Sequence, residues 1–492
     1  MMAAGQLQGP RMAELLAGLA EPAGLADWVP AGLSLDSRAM VEGGLFLACR
    51  GHRGHGLEHV TEAIERGAGA VAWEPGPGIT PPQLSIPAVA VPDLARHAGL
   101  IADRFFGQPS TAMRVVGVTG TNGKSSVVHL LSHALEATGR PSGQLGTLGS
   151  GRPGKLTSSA LTTGDAVAVQ ARLAEFRDAG VRSVAMEVSS HGLVQHRVDA
   201  VRFTGAIFTN LSHDHLDYHG SLQAYARAKR RLFAHPELDW AVINGADPEA
   251  GGMAEALASG VRCVRFGPDS SEVEVRAEPQ AEGLSVSIRG SLGEARIETA
   301  WLGRFNADNI AAAFCALRLM GLEAAQAASE LAAVPPVPGR MEAFGGGDRP
   351  LLVVDYAHTP DALEKVLAAL REHVPGRLYC VFGCGGERDA AKRPRMGLVA
   401  VRGADRVVLT DDNPRGESGE QIIADILRGS GTRVAVTRDR ESAIREAWNS
   451  ARTGDVILVA GKGHEEEQIV GEKKIPFSDR ELARSLAGEG VR

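Results

Sequence analysis

The amino-acid sequence predicts an α/β protein arranged as three consecutive domains, residues 1–110, 111–336 and 337–492. Three observations carry this expectation. From about Thr111 onward, short apolar runs alternate with stretches of helical periodicity, the pattern of parallel sheets covered by helices. One of these runs, Val115-Val116-Gly117-Val118, enters a glycine-rich turn that opens directly into a helix. The 492 residues are also enough for about three domains of ~100–200 residues each.

Composition narrows the class. A chain that is 44% hydrophobic and 23% charged has the make-up of a soluble protein with substantial cores. A net charge of −7 argues against a general nucleic-acid binder. The five cysteines (Cys49, Cys263, Cys315, Cys380 and Cys384) lack metal-like paired spacing, so reduced thiols are expected. No apolar run reaches membrane-spanning length, and the N-terminus shows no charged-then-apolar signal pattern. A cytoplasmic protein without membrane insertion is expected.

The turn reads Gly120-Thr121-Asn122-Gly123-Lys124-Ser125-Ser126, and the helix after it places Val127, Leu130, Leu131, Ala134 and Leu135 on one face. Gly139 stops the helix, with Pro141 just beyond. Strand, glycine turn, lysine and hydroxyl together describe a phosphate cradle. Backbone N–H groups and the positive helix end face the phosphates, Lys124 adds a point charge, and Ser125 can hold Mg²⁺. The usual pattern has a glycine where Val118 stands, with Gly117 one residue further out. An ordinary glycine turn is the alternative; the lysine, the hydroxyl and the strand–helix context favour a nucleoside triphosphate site.

In the first region, Leu35-Asp36-Ser37-Arg38 precedes an apolar run, Gly43 to Ala48, and then Gly51-His52-Arg53-Gly54-His55-Gly56. An Asp-Ser pair in that position also reads as a turn cap. His59 to Gly67 reads as a helix, Ala70 to Trp73 as a strand, and Pro75 to Pro92 as a loop with a short strand. The linker to the next domain falls near Gly107-Gln108-Pro109-Ser110.

In the second region, Leu161-Thr162-Thr163-Gly164-Asp165 opens a helix, its hydroxyls placed to cap it or to bind an anion. Val184 to Val188 reads as a buried strand carrying Glu187, and a carboxylate there needs either a salt bridge or a cation such as Mg²⁺. A second apolar strand ends in the polar cluster Thr209 to Gly220, rich in His and Asp. Two such strand ends predict one ligand crevice, with zinc as the rival to Mg²⁺. Lys229 lies on a helix whose basic residues read by default as a solvated face, and Asn306 and Asn309 share a helix face.

The third region alternates strand and helix with regularity and implies a second parallel sheet. Asp355-Tyr356-Ala357-His358, Cys384 to Asp389, Asp411 to Arg415 and Gly461 to Glu465 each follow an apolar strand. Polar loops at neighbouring strand ends predict one binding crevice.

The Gly-Thr-Asn-Gly-Lys-Ser form of the phosphate loop resembles that of the Mur ligases and their folate-ligase relatives, which make amide bonds at the expense of ATP. Met186-Glu187-Val188-Ser189-Ser190-His191-Gly192-Leu193-Val194-Gln195-His196-Arg197 and Asp214-His215-Leu216-Asp217-Tyr218-His219-Gly220 are similar to the UDP-N-acetylmuramoyl-tripeptide synthetases within that family. The resemblance spans nearly the whole chain. It implies an N-terminal UDP-binding domain, a central ATPase-like domain and a C-terminal Rossmann-like domain for the incoming amino acid. Gly120, Thr121, Asn122, Gly123, Lys124, Ser125 and Ser126 would cradle ATP, with Asn306 and Asn309 at the adenine and Arg340, Asp355 and His358 reaching the nucleotide. Leu35, Ser37, His52, Arg53 and Gly54 would hold the uridine and pyrophosphate, and Thr162, Thr163, Ser189, Gln195 and Arg197 the muramoyl-dipeptide. Ser125, Glu187, His215 and Lys229 would serve Mg²⁺, Lys229 as a carbamate; with Lys124, the last three form the expected catalytic set. The sequence departs from the family pattern at Leu161, where the family carries Asn, and at Gly164, where it carries Pro.

The implied reaction is ATP-dependent ligation of an amino acid to UDP-N-acetylmuramoyl-L-alanyl-D-glutamate through an acyl phosphate, by a monomer. Among the amino acids such enzymes add, meso-diaminopimelate exceeds L-lysine by one carboxylate, which a planar guanidinium can recognise. Arg415, within Asp412-Asn413-Pro414-Arg415, supplies it, with Arg388 as a second cation and Gly461 and Glu465 for the distal amino group. The lysine-adding ligases and the folylpolyglutamate ligases are the enzymatic alternatives, although the latter lack the first domain. A non-enzymatic nucleotide switch fits poorly, since no Asn-Lys-x-Asp guanine-reading motif is present.

Overall fold

The apolar runs form strands and the periodic stretches form helices throughout residues 9–22, 24–51, 54–159, 161–270, 272–431 and 434–488, which the computed structural model describes. The fold class is α/β, as expected. The chain divides into two units: Met1–Glu272 with Cys315–Leu322, and Val273–Phe314 with Glu323–Arg492.

In the first unit, β1 (Leu33–Ser34), β2 (Gly44–Ala48), β3 (Ala68–Trp73) and β4 (Ala88–Ala90) form a parallel sheet in that order. The expected helix after residue 59 is a 3-10 turn, Gly56–His59, running into an α-helix, Val60–Glu65. Helix Leu94–Phe105 buries Leu94, Ala98, Ile101 and Ala102, a stripe at helical spacing. That stripe shares a core with Leu45 and Leu47 of β2 and with Ala166 and Val167 from beyond the linker.

A second sheet comprises β5 (Arg114–Thr119), β6 (Ser142–Gly146), β7 (Gly149–Arg152), β8 (Lys155–Thr157), β9 (Ser183–Glu187), β10 (Phe203–Phe208), β11 (Trp240–Asn244) and β12 (Arg262–Gly267). Its order in this unit is β12-β11-β10-β5-β9-β6-β7-β8, parallel from β12 to β6. Strand β5 is covered on both faces, and Val115, Val116 and Val118 are fully buried. Each such valine contributes roughly 1.5–3 kcal/mol before chain entropy is subtracted. The register sets Val118 beside Glu187 and Thr119 beside Phe208. Both polar strand ends therefore flank the glycine turn, at the point where strand order reverses.

One local expectation is corrected. The hydroxyls of Thr162 and Thr163 do not cap helix Ala166–Asp178; the Asp165 carboxylate does, accepting from the N–H groups of Val167 and Ala168 at 3.0 and 2.9 Å. A carboxylate suits the positive helix end better than a hydroxyl, and both threonines are released for other bonds.

In the second unit, β13 (Val273–Gln280), β14 (Gly283–Gly290) and β15 (Gly293–Thr299) form an antiparallel meander. The six-stranded sheet that follows comprises β16 (Glu342–Gly345), β17 (Leu351–Asp355), β18 (Leu378–Phe382), β19 (Arg406–Leu409), β20 (Ala435–Val436) and β21 (Val456–Ala460). Its order is β16-β17-β21-β18-β19-β20. The expectation of a parallel sheet holds except at β16, which is antiparallel to β17. Residues 346–350 are too few for a crossover, so these two strands can only form a hairpin. The last hairpin pairs β22 (Glu467–Val470) with β23 (Lys473–Pro476).

The five cysteines are unpaired. Burial pushes the thiols of Cys315, Cys380 and Cys384 up to about 12, so they stay protonated. Among the described residues no helix is long and apolar enough to cross a membrane.

Candidate functional site

The turn after β5 is stitched to the segment after β10. Asn122 N–H donates to Asn210 Oδ1 at 3.0 Å, Thr209 Oγ1 donates to Asn122 O at 2.6 Å, and Ser212 N–H donates to Thr121 Oγ1 at 2.9 Å. Gly120 lies so close to Thr209 that a Cβ would overlap its hydroxyl, and its φ of +155° further favours glycine. Helix Lys124–Ala137 begins directly behind the turn, and Lys124 Nζ folds back to donate to Gly120 O (2.9 Å) and Thr121 O (2.8 Å).

Glu187 ends β9 almost wholly buried. Its Oε1 accepts from Ser125 Oγ and from Thr147 N–H, both at 2.8 Å, and its Oε2 from Thr147 Oγ1 at 3.3 Å. Among the described residues it makes no ion pair, so the salt-bridge explanation of its burial does not hold. Burial pushes the carboxyl up, and the charge of Lys124 opposes that rise. An anionic oxygen beside a serine hydroxyl at a phosphate loop is a hard donor set that fits Mg²⁺, which takes the rest of its shell from water and phosphate. Among the described residues, no group of three or more His, Cys, Asp or Glu side chains is placed to hold a metal ion by itself.

Lys229 departs from the solvated-face expectation. Helix Leu222–Phe233 turns it inward, where it is 1% exposed, its Nζ donating to Gly120 O at 2.8 Å and lying 4.4 Å from the Tyr225 ring centroid. Burial, reinforced by the charge of Lys124, drives its amine well below the ordinary lysine value. A neutral amine is the form that adds CO₂. The Gly120 carbonyl thus receives both lysines, which brings the phosphate loop and the expected carbamate residue to one atom. His215, in a left-handed backbone conformation (φ +52°), has its ring centroid 6.1 Å from that of Tyr225 and 4.9 Å from that of His191.

The residues expected to hold the dipeptide also converge. Thr163 Oγ1 donates to Glu187 O (2.9 Å) and accepts from Ser189 N–H (3.0 Å). Arg197 donates through Nη1 to Thr163 O (2.7 Å) and through Nε to Gln195 Oε1 (3.0 Å), while Gln195 Nε2 donates to Tyr218 OH (3.2 Å). Thr162 Oγ1 lies 3.0 Å from Thr147 Oγ1. Thr147 escaped the sequence reading, because only the pairing of β6 with β9 brings it onto Glu187. In the first sheet, Asp36 is the turn cap, accepting from Arg38 N–H, and Ser37 Oγ is spent on Glu62 at 2.7 Å. Leu35 packs half-buried against the core, and Gly54 precedes the capping residue His55. His52 and Arg53 lie outside the described residues.

In the second unit, both Asp355 oxygens accept backbone N–H groups, from Ala357 and Met341 at 2.8 Å each, so this carboxylate secures its own loop. Arg340 stacks over Tyr356, 4.7 Å from the ring centroid, and His358 Nδ1 lies 2.9 Å from Tyr356 O. Asn306 Nδ2 donates to Leu302 O and Asn309 Nδ2 to Asn306 Oδ1, each at 2.8 Å, so the pair is buried and linked. The loops after β18, β19 and β21 do meet. Gly386 N–H donates to Asn413 O at 2.9 Å, with so little room that a Cβ would overlap Pro414 O. Arg415 Nη1 donates to Gly386 O at 2.9 Å, and Asn413 Nδ2 to Glu465 Oε2 at 2.8 Å. Asp412 is buried, which pushes its carboxyl up, while Arg388 is exposed. Gly461 abuts Asp412.

A phosphate loop at a strand-order reversal, beside a buried lysine and a buried carboxylate, defines a nucleotide-dependent α/β enzyme. Three family models match this chain: the Mur ligase family catalytic domain over residues 31–105, the Mur ligase middle domain over 118–317 and the Mur ligase glutamate ligase domain over 339–463. The UDP-N-acetylmuramoyl-L-alanyl-D-glutamate--2,6-diaminopimelate ligase of Alkalilimnicola ehrlichii is 48% identical over 471 residues, covering 93% of this chain and 95% of that protein. The protein of the same name from Pseudomonas aeruginosa is 48% identical over 462 residues, 92% and 94% of the two chains. A solved structure of a ligase of that name superposes with a TM-score of 0.76 at 33% identity, covering 98% of this chain and 99% of the other. The chain belongs to the Mur ligase family.

Proposed function

We propose that this chain is an ATP-dependent ligase that adds meso-diaminopimelate to UDP-N-acetylmuramoyl-L-alanyl-D-glutamate, a step of peptidoglycan precursor synthesis. The observation that carries this reading is the meeting of Lys124 and Lys229 on the Gly120 carbonyl, beside buried Glu187 and the Thr163–Gln195–Arg197 cluster. The relatives named above bear the name of this activity over more than nine-tenths of the chain.

In this reading the D-glutamate γ-carboxylate attacks the γ-phosphorus of ATP, and the bond to ADP breaks as the acyl phosphate forms. The amine of diaminopimelate then attacks the acyl carbon; the C–N bond forms, the amine loses its proton, and phosphate leaves. Lys124 moves from the loop carbonyls to the phosphate oxygens, and Arg197, Gln195 and Thr163 orient the muramoyl-dipeptide. Ser125, Glu187 and His215 would hold Mg²⁺, and carbamylated Lys229 would serve a second Mg²⁺; when bound, these ions would supply charge neutralisation for the transferring phosphoryl. Nucleotide contacts are assigned in this reading to Asn306, Asn309, Arg340 and His358, and uridine contacts to Leu35, Gly54, His52 and Arg53. The division at residues 110 and 336, a monomeric state and a cytoplasmic location belong to the same proposal.

The choice of amino acid rests on Arg415, in the loop whose Asn413 side chain donates to Glu465; its guanidinium spends Nη1 on Gly386 O. A site built around a carboxylate rejects an analogue that lacks it. Parallel assays of ADP release with meso-diaminopimelate and L-lysine test this, together with Arg415→Ala. The parent is expected to prefer diaminopimelate strongly, and the variant to raise its KM. A preference for lysine, or an unchanged KM, overturns the assignment.

A further inference from the structure

We propose that Lys462 is a positioning residue for the incoming amino acid, holding the Glu465 carboxylate and the Asn413 amide in the arrangement that receives the substrate's distal end. The inference rests on the amino-acid site proposed above, and Lys462 itself is not among the residues of that site.

Lys462 is fully buried, at 0% exposure. An ammonium has three hydrogens to donate, and burying it is costly unless all three are used. Here they reach Asn413 Oδ1 at 3.1 Å, Glu465 Oε2 at 2.9 Å and Glu467 O at 2.6 Å. Two of the three acceptors are side chains assigned to the ligand. Asn413 is locked from both ends: its Oδ1 also accepts Ile469 N–H at 3.0 Å, and its Nδ2 donates to Glu465 Oε2 at 2.8 Å. Glu465 Oε2 therefore receives two donors, and among the described residues Oε1 receives none. The carboxylate is pinned by one oxygen while the other stays available to a substrate ammonium. The same strand β22 that supplies the Glu467 carbonyl and the Ile469 N–H also accepts Arg415 N–H, at Ile469 O and 3.0 Å. One buried cation thus ties the Asn413 loop, the Glu465 loop and the start of the hairpin into a single arrangement.

The Glu465 carboxyl reports on this contact. Burial alone raises it, but the hydrogen bond and charge of Lys462, with Asn413 and His464, outweigh burial and hold it below the usual range. Asp412, Arg440 and the Arg440-paired Asp479 are the other charged groups around this cluster.

The experiment is steady-state kinetics of the full chain and of Lys462→Met and Lys462→Gln, varying ATP, UDP-N-acetylmuramoyl-L-alanyl-D-glutamate and meso-diaminopimelate in turn. Loss of one member of a buried hydrogen-bonded charge pair predicts at least about a tenfold rise in KM for diaminopimelate. KM for ATP and for the UDP substrate should stay within about threefold of the parent. The acid limb of kcat/KM for diaminopimelate should move to higher pH, because Glu465 loses its cation, and Lys462→Gln should fall between parent and Lys462→Met. A structural peg would lower kcat or stability for all substrates alike without moving that limb, and this result overturns the proposal. So does an unchanged KM for diaminopimelate, or failure of both variants to fold. A parent inert toward diaminopimelate overturns the ligase reading, and this inference falls with it.

Discussion

Glu187→Gln separates the two roles a buried carboxylate can have. The substitution keeps the shape of the side chain and an oxygen for Ser125 Oγ and Thr147 N–H, while the new amide faces Thr147 Oγ1, which can turn to accept. One weak bond is exchanged and a buried charge is removed, terms of about 1–2 kcal/mol with opposite signs. Stability should therefore change by no more than about 1 kcal/mol, about 2–4 °C in Tm for a unit of this size. The pH dependence has a definite sign. Burial raises the folded pKa of Glu187 above its unfolded value, so ionising it inside the fold costs stability above the folded pKa. That cost vanishes below the unfolded value of about 4.3. The variant should gain on the parent as pH rises from 5 to 8. Activity should behave in the opposite way. Removing one pre-aimed, charge-stabilising group costs roughly 2.7–4 kcal/mol, about 10²–10³-fold in kcat. Melting curves at pH 5 and pH 8, with and without MgCl₂, alongside ADP release, measure both. Mg²⁺ with nucleotide should raise the Tm of the parent more than that of the variant. A variant that melts 10 °C lower yet turns over like the parent would show that Glu187 is a structural residue, and the metal reading would be wrong.

Lys229→Ala should lose about 10²-fold or more in ligation while staying folded, and short carboxylates should partly restore turnover by replacing the carbamate oxygens; parent-like turnover refutes the carbamate role. Asp165→Ala removes a cap bonded to two N–H groups and should cost ~1 kcal/mol in urea melts, leaving kcat within about threefold. Asp479→Asn breaks a fully buried ion pair with Arg440, whose Nε and Nη2 reach the two carboxylate oxygens at 2.8 and 2.7 Å. It should cost about 3–5 kcal/mol, the price of leaving Arg440 buried without its anion. A smaller loss, measured by denaturant unfolding, would mean that water reaches the guanidinium.

What could be read in the sequence and what could not divides along local and non-local lines. The phosphate loop was legible because glycines, lysine and hydroxyl are neighbours in the chain, and the helix behind it because its apolar residues repeat at one period. Glu187 stood out as a charge inside an apolar strand, and its burial followed. Thr147 did not stand out, since its contact with Glu187 depends on β6 pairing with β9 across nearly forty intervening residues. Lys229 looked like one more cation on a basic helix; its burial is set by what packs on Tyr225 and Gly120, which no helical pattern encodes. The cap at Asp165 was not legible because Thr162, Thr163 and Asp165 were all competent, and backbone geometry selects among them. Lys462 sat inside a motif that was noticed, but its three acceptors come from separate stretches of chain.

The order of strands in the C-terminal sheet has an evolutionary consequence. Strands β17, β21, β18 and β19 lie side by side, and each releases a polar loop from the same end. Their own residues are almost entirely aliphatic or aromatic and buried, so the scaffold is indifferent to what the loops recognise. Exchange of one loop alters recognition locally without reopening the hydrophobic interior. In the proposed reading a lineage can therefore drift toward a different amino-acid substrate by altering a handful of loop positions, and Gly386, packed against Pro414, marks where such drift is blocked by lack of space.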